Sequence, residues 1–179
     1  MRSSHRRIRI LGLAFSATAL AGLGAVAWTW GQLRASLPAL DGTQSLAGLT
    51  APAILERDAA GVVTIHGATR IDVARALGFA HGQDRFFQMD LIRRRSAGEL
   101  SALVGAAAID ADRGARLHGF RSLARTVVGR LNPEDRALVD AYAAGVNAGL
   151  TSLATKPFEY FVLRSDPEPW RPEDTLLAQ

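Results

Sequence analysis

The 179-residue sequence contains no cysteine. Disulfide bonds, zinc sites built on thiolates and a cysteine nucleophile are therefore excluded within this chain. Internal repeats and low-complexity segments are also missing, so the sequence does not indicate a solenoid or a fibrous protein. Hydrophobic residues make up 48% of the chain, enough to bury a core, and the length is typical of a single domain.

Familiar catalytic motifs are absent as well. The sequence has no G-x-S-x-G elbow, no phosphate-binding glycine loop and no HExxH zinc motif. Ser96, Ser101 and Ser122 lie in helical patterns without a base at an informative spacing. By its own chemistry the chain shows no catalytic residue and no cofactor-binding residue.

The histidines of the body do not have the spacing of metal ligands. They are His66, His81 and His118. His81 together with Asp84 or Asp90 could imitate a ligand set, but a zinc site needs a closer cluster of His, Asp or Glu. We expect no metal site in this chain.

The excess of positive charge is confined to the N-terminus. The formal net charge is +4, and Arg2, Arg6, Arg7 and Arg9 supply four positive charges. From Ile10 onward, the remaining 17 basic residues (21 minus 4) balance 17 acidic residues. A phosphate-binding surface needs several uncompensated Lys or Arg, so we predict no nucleic-acid partner.

Residues 1–33 are predicted to be a signal peptide or a membrane anchor. Residues 10–33 carry no charge over 24 positions, a length that spans a bilayer as a helix. The Ala-Val-Ala at 25–27 would serve as a cleavage site, whereas Trp28 and Trp30 suit a membrane interface. Both alternatives imply an exported, periplasmic protein, which contacts the membrane through this segment if it is uncleaved.

The remainder divides into a linker (34–51) and a folded body (52–179). At the start of the body, Ala53–Arg57 and Val62–His66 are strand-like, and the Asp-Ala-Ala-Gly at 58–61 has turn chemistry, so we predict a β-hairpin. A lone hairpin is only marginally stable in water. We therefore expect these strands to join a larger sheet, for which this chain has few other strands.

Several helix starts can be predicted from capping chemistry. The Asn-Pro-Glu-Asp at 132–135 combines an N-cap, a proline at the first helical position and acids in the first turn. Asp72 is a predicted N-cap for an earlier helix, and Asp110 or Asp112 for a helix after Gly105.

Two further features concern the last helices. The small residues at 143–145 allow another element to approach the helix after Asn132 closely. A further start signal at 171–174 stands close to the end of the sequence, and so short a helix gains little packing. We interpret the chain as the N-terminal part of a longer protein.

The segment Phe86–Ile92 is apolar nearly all round a helical wheel, which is typical of a helix buried on several sides. Four charged residues should then be partly buried and paired, because an unpaired buried charge costs on the order of several kcal/mol. They are Asp84, Asp90, Arg93 and Arg94. Asp90 and Arg94 stand at i,i+4 with the acid first, the favourable order. We interpret the arginine run as part of a structural ion-pair network and not as a nucleic-acid-binding arm.

Three ordered blocks resemble a known family. They are "RDAAGVVTIHG…DVARALGFAHGQDRFFQMDLIRRRSAGELSALVG", "NPEDRALVDAYAAGVNAGL" and "PFEYFVLRSDPEPWRPEDTLLA". Together they cover Ile54 to Gln179 and resemble the N-terminal part of the α-chain in the penicillin acylase (penicillin amidase) family.

The resemblance implies an N-terminal-nucleophile hydrolase. In such proteins a precursor cuts itself into an α-chain and a β-chain, and the first serine of the β-chain attacks the amide. The full fold would be a four-layer αββα sandwich, and this α+β fragment would be mostly helical with one N-terminal hairpin. The partners implied are the β-chain and a small-molecule amide substrate, with calcium possible in the full-length protein. Catalytic, cofactor-binding and metal residues would lie outside this chain, so none is assigned, and the fragment alone should be inactive.

Two alternatives remain open. One is a membrane-anchored, non-catalytic helical interaction protein or a degenerate pseudo-enzyme that acts as it stands. The other keeps the enzyme class and changes the substrate, as in an acyl-homoserine-lactone acylase.

Overall fold

The structure, a computed structural model, describes residues 2–178, with side chains from Thr18 onward. Its helices are α1 (Arg2–Ala35), α2 (Arg70–Asp84), α3 (Phe86–Ala97), α4 (Ser101–Val104), α5 (Ile109–Arg116), α6 (Phe120–Arg130), α7 (Pro133–Ser152), α8 (Phe158–Val162) and α9 (Asp174–Leu177). Its strands are β1 (Ile54–Arg57) and β2 (Val63–His66). The predicted α+β character, mostly helical with one hairpin, is confirmed.

The hairpin forms where the sequence predicts it. β1 and β2 pair antiparallel, with Ile54 opposite His66. In the turn, Asp58 Oδ1 accepts hydrogen bonds from the amides of Ala60 (2.9 Å) and Val62 (2.8 Å). Gly61 adopts φ 80°, a left-handed conformation that favours glycine. The larger sheet stays a prediction, since among the described residues the sheet has two strands.

The N-terminal segment is helical. The side chains of residues 18–31 are exposed along α1, while the arginine-rich head and the start of the 10–33 segment lie outside the described side chains. Among the residues whose side chains the structure describes, no helix is both long enough and apolar enough to cross a bilayer.

The end of the linker is anchored to α2. The Thr50 amide and hydroxyl donate to the two carboxylate oxygens of Asp72, at 2.8 and 2.5 Å. These bonds lower the pKa of Asp72. Thr69, and not Asp72, is the N-cap of α2: its hydroxyl accepts from the Asp72 amide (3.1 Å) and donates to the Asp72 carboxylate (2.9 Å). The Asp72 prediction was wrong because the helix begins earlier, at Arg70, which leaves Asp72 in the first turn as the reciprocal partner.

Asp112 also acts outside its own helix. α5 follows a 3₁₀ turn at 106–108 and has no side-chain N-cap, so the prediction for Asp110 or Asp112 was wrong. The Asp112 carboxylate instead accepts the amides of Leu100 (2.9 Å) and Ser101 (2.7 Å), at the start of α4. Burial would raise the pKa of Asp112, but hydrogen bonds from the Ser101 side chain and from these amides, together with the charge of Arg116, outweigh burial and lower the pKa. Tertiary folding therefore brings α5 against α4.

The helix start at Asn132 is confirmed. The Asn132 side chain accepts from the Asp135 amide at 2.9 Å, and Pro133 begins α7. α9 likewise starts at Asp174, within the signal at 171–174.

Helices α2 and α7 pack backbone to backbone. Gly78 and Gly82 of α2 face Gly145 and Gly149 of α7, and both pairs have i,i+4 spacing. A β-carbon built on any of the four would lie 2.0–2.2 Å from a carbonyl oxygen of the other helix. The predicted close approach to Gly145 is thus confirmed, and α2 supplies a matching pair of glycines. Small residues at this spacing let two helix backbones touch.

The main core lies where α3 and α7 meet the segment after α7. Its buried members are Phe86, Met89, Leu103, Ala143, Val146, Tyr160 and Trp170. α3 is packed on several sides, as the wheel predicts, although Ile92 is 45% exposed. Tyr160 and Trp170 of this core contact the charged side chains of Asp90 and Arg93, respectively.

Candidate functional site: a buried charge network

Asp90 lies at the centre of a buried network on α3. It is fully buried, and Arg93 and Arg94 are 3% and 5% exposed. Asp90 Oδ1 accepts from Arg93 Nε (2.6 Å) and Arg94 Nε (2.9 Å), and Oδ2 accepts from the Tyr160 hydroxyl (2.6 Å). The predicted pairing of Asp90 with Arg94 is confirmed.

Arg93 links α3 to the segment before α9. Its Nη1 donates to Asp174 (2.6 Å) and to the Pro169 carbonyl (3.1 Å), and its Nη2 donates to the Glu168 carbonyl (3.0 Å). Its guanidinium carbon lies 5.0 Å from the centre of the Trp170 ring, within cation–π range. Arg93 thereby uses its donors on two carboxylates and two carbonyls.

The network continues to α6 through Asp174. Arg121 donates to Asp174 and, through Nε (3.0 Å) and Nη2 (2.6 Å), to both oxygens of Glu99. The Arg171 amide adds a third donor to Asp174 (2.8 Å). Acids and arginines thus alternate from Glu99 through Arg121, Asp174 and Arg93 to Asp90. Sequence reasoning missed Arg121 and Glu99 and took Asp174 only as a helix-start residue.

The electrostatics of the network favour its charged form. Burial opposes the charge of Arg94, yet Asp90 and Glu168 raise the pKa of Arg94. Burial and the hydrogen bond to Asp90 raise the pKa of Tyr160, so its phenol stays protonated as a donor. A buried ion pair is stable only when its remaining polar atoms are satisfied. Because the Asp90 and Asp174 carboxylates accept three hydrogen bonds each, this network can position helices but offers no free general acid or base.

A polar cleft of about 270 Å³ opens over this network. It is lined by Arg93, Arg94, Glu99, Ala102, Arg121, Glu168, Arg171 and Asp174. Four arginines face three acids in the lining, and Asp90 beneath Arg93 and Arg94 balances the fourth charge. The cleft is therefore not a strong site for an anion.

Asp84 and His81 are not part of this network. Asp84 pairs with Arg57 of β1 (2.8 Å), which ties the hairpin to α2. His81 Nδ1 lies 2.8 Å from the Tyr142 hydroxyl of α7. Burial and the charge of Arg85 lower the pKa of His81, and burial raises the pKa of Tyr142 to about 12. His81 is therefore neutral at pH 7, and it bridges α2 and α7.

The histidines and serines singled out in the sequence do not converge. His66 lies 3.7 Å from Glu56, His118 stacks on Phe120, and the Ser122 hydroxyl donates to the carbonyl of Gly119. Among the described residues, the recorded partners of these three side chains differ. The geometry does not bring them into a nucleophile–base pair.

A larger cavity of about 420 Å³ lies between the linker, the hairpin and α2. Its lining includes the polar side chains of Arg57 and Gln83. Arg57 is paired with Asp84, and the Gln83 amide donates to the Ser152 hydroxyl at 2.9 Å. The described lining also contains the exposed carboxylate of Asp41, but no histidine or lysine.

The described residues do not fit a calcium site. Calcium takes six to eight oxygen ligands, and no group of three or more His, Asp or Glu among the described side chains could hold a metal ion. The buried carboxylates already accept hydrogen bonds from nitrogen or hydroxyl donors. Calcium in the full-length protein would need ligands from elsewhere.

Comparisons with known proteins agree over the folded body. Residues 52–179 match the sequence model of the penicillin amidase family. The chain is 44% identical over 146 residues to a penicillin acylase 2 proenzyme of Pseudomonas sp. (strain SE83), covering 82% of this chain and 19% of that protein. It is 33% identical over 169 residues to an acyl-homoserine lactone acylase of Pseudomonas aeruginosa, covering 93% of this chain and 20% of that protein.

A solved structure is also similar. A thermostable penicillin G acylase from Alcaligenes faecalis superposes with a TM-score of 0.64 at 26% identity, covering 71% of this chain and 69% of that chain. The present chain spans about a fifth of the length of the two relatives above.

Proposed function

This chain belongs to the penicillin amidase family, and we propose that it is the N-terminal part of an exported amidase. The observation that carries the proposal is the family match over 52–179, which covers the folded body. The proposed reaction is hydrolysis of a linear, non-peptide amide. The proposed catalytic residue is the N-terminal serine of a second chain, released when the precursor cuts itself. One of the relatives is named a proenzyme, which supports processing of this kind.

In the proposed chemistry, the new N-terminal residue supplies both the nucleophile and the base. The serine hydroxyl attacks the amide carbonyl, and its proton passes to the α-amino group of the same residue. That group has a reference pKa of about 7.7–8.0 and can act as a base near neutral pH. The C–N bond then breaks, the amine leaves with the proton, and water hydrolyses the acyl ester. Fixed N–H donors would stabilise the oxyanion.

In this proposal the present chain is a scaffold. Its network joins α3, α6 and the segment around α9 through Asp90, Arg93, Arg121 and Asp174, each a buried or half-buried group with more than one partner. A preorganised catalytic site requires that the surrounding helices and strands hold its residues rigidly in place. The partner chain would complete the fold and hold the nucleophile.

Residues 10–33 would direct export and would hold the protein at the membrane if they are not cleaved. Their charge-free length and the basic residues before them support this role. Fractionation of cells expressing the full-length protein, with N-terminal sequencing of the product, tests it. A cytoplasmic product that keeps its first residues would contradict export.

Substrate choice is tested by activity. The purified full-length protein is incubated with penicillin G and, separately, with N-acyl-homoserine lactones, and the released amine is measured. Replacing the serine that processing exposes by alanine is the control, and it should abolish release. The identity to a homoserine-lactone acylase over most of this chain makes that substrate class the second candidate. Absence of processing and of amide hydrolysis in the full-length protein would refute the proposal.

A further inference from the structure

An apolar groove runs between α6, α3 and α9, with a volume of about 380 Å³. We call it the α6 groove. Its apolar lining consists of Phe120, Leu123, Ala124, Val127, Leu176 and Leu177, and Ser96 completes it. Phe120, Leu123 and Val127 remain 44%, 54% and 40% exposed among the described residues. These are large apolar side chains left uncovered on one side of a helix.

The spacing of these side chains fits a helix as occupant. Phe120, Leu123 and Val127 stand at i, i+3 and i+7, so they form a continuous stripe along α6. A stripe of this kind is normally buried against a second helix. Ala124 lies at the bottom of the groove, 5% exposed, and its small side chain leaves room for close approach.

Charge argues against a membrane or nucleic acid as the occupant. Arg121 is bound to Glu99 and Asp174, and Arg125 is paired with Glu173 at 3.1 Å. Of the arginines on α6, only Arg130 lacks a partner among the described residues. Anionic surfaces are recognised by several unpaired cations. The groove is therefore nearly neutral and apolar, as a surface for a protein segment should be.

We propose that the α6 groove is the docking site for an amphipathic helix supplied by the remainder of the precursor. This rests on the proposed function, because it requires a longer protein. About four-fifths of each of the two described relatives lies outside the matched region, so ample sequence exists to supply such a helix. The occupant carries an apolar stripe of its own and no charge where it meets Leu123 and Val127.

Cysteine labelling tests the proposal in the full-length protein. Because this chain has no cysteine, Val127→Cys introduces a single thiol into its part of the protein, and the unsubstituted protein serves as the blank. Thr126→Cys is the matched control. Thr126 is exposed and has nearly the same shape as Val127. On the helix it points about 100° away from Val127, and so away from the groove. We expect a maleimide to react with Val127→Cys about tenfold or more slowly than with Thr126→Cys, because the docked helix must first open. Val127→Cys keeps a small side chain of low polarity in the groove, and Thr126 is exposed, so neither variant should impair folding.

Equal labelling of the two thiols would overturn the proposal. Protection of Val127→Cys that appears only when anionic lipid vesicles are added would overturn it in favour of a membrane surface. Protection that is lost on dilution of the protein would overturn it in favour of a second copy of the chain. The labelling is independent of catalysis, so a protein that protects Val127→Cys yet hydrolyses no amide would refute the proposed function and support the docking.

Discussion

Gly145 of α7 lies directly against the main chain of Arg75 in α2: a β-carbon at Gly145 would be 2.0 Å from the Arg75 carbonyl oxygen. No side chain other than hydrogen fits between the two backbones. The contact between these two helices therefore depends on residue size alone at this position.

Gly145→Ala is expected to destabilise the full-length protein. The added methyl group must push the helices apart, and overpacking of this kind costs about 1–3 kcal/mol. Gly129→Ala in α6 is the control, because a β-carbon there meets nothing within 4 Å. This control should be neutral or stabilise by up to about 1 kcal/mol, since glycine is unfavourable inside a helix. Urea denaturation of both variants measures the difference, and equal midpoints would contradict the close approach.

Asp90→Asn is expected to cost about 3–5 kcal/mol, because it leaves Arg93 and Arg94 without their common buried carboxylate. Asp110→Asn is the matched control. The Asp110 side chain is 95% exposed, and its contact with Arg113 is 3.3 Å long at the surface. An exposed substitution of this kind usually changes stability by less than about 0.5 kcal/mol. Thermal melting of both variants checks the prediction, and a similar loss in each would show that the network contributes little.

Because of the Asp112 carboxylate, the stability of the protein should decrease as the pH falls in the acidic range. Its pKa is lowered in the folded state, so its contribution is complete above the unfolded pKa of about 3.9 and is lost as pH falls through the lower folded pKa. Asp112→Asn should be less stable than the unsubstituted protein at pH 7. The difference should shrink as the pH falls below about 4. Denaturation midpoints of both proteins, measured from pH 7 into the acidic range, test this prediction. A stability difference that grows on acidification would contradict it.

Residues 44–179 expressed alone should be poorly soluble. Leu117, Leu123 and Val162 are 88%, 54% and 75% exposed, and the hairpin has unpaired edges among the described residues. Exposed apolar surface and open strand edges promote association. Size-exclusion chromatography measures whether the fragment is monomeric, and a denaturation curve measures whether it unfolds cooperatively. A soluble, monomeric and cooperative fragment would favour the non-catalytic alternative, in which the chain acts as it stands.

Local chemistry predicted several elements correctly. The Asp58 turn, the Asn132 cap and the pairing of Asp90 with Arg94 each depend on residues within about one helical turn or one tight loop. Such contacts join residues that are close in sequence, so spacing in the sequence is sufficient to find them. The apolar wheel at Phe86–Ile92 predicted a buried helix for the same reason.

Asp72 and Asp112 both accept hydrogen bonds from amides outside their own helices. Both are acids near a helix start, and both were assigned to their own helix. In the structure Asp72 also accepts from Thr50, 22 residues away, and Asp112 accepts from Leu100, 12 residues away. A carboxylate satisfies any N–H that folding brings near, and the sequence does not state which.

By itself, the sequence determined the hairpin, the helix starts at Asn132 and within 171–174, the buried character of α3 and the resemblance to a family. Only the tertiary structure decided that Arg93 reaches Asp174, 81 residues away, and that Arg121 joins the same carboxylate from α6. It also decided that the glycines of α2 meet those of α7. The physical reason is range: periodicity and capping act within a few residues, whereas partners for buried charges and close helix contacts depend on the path of the whole chain.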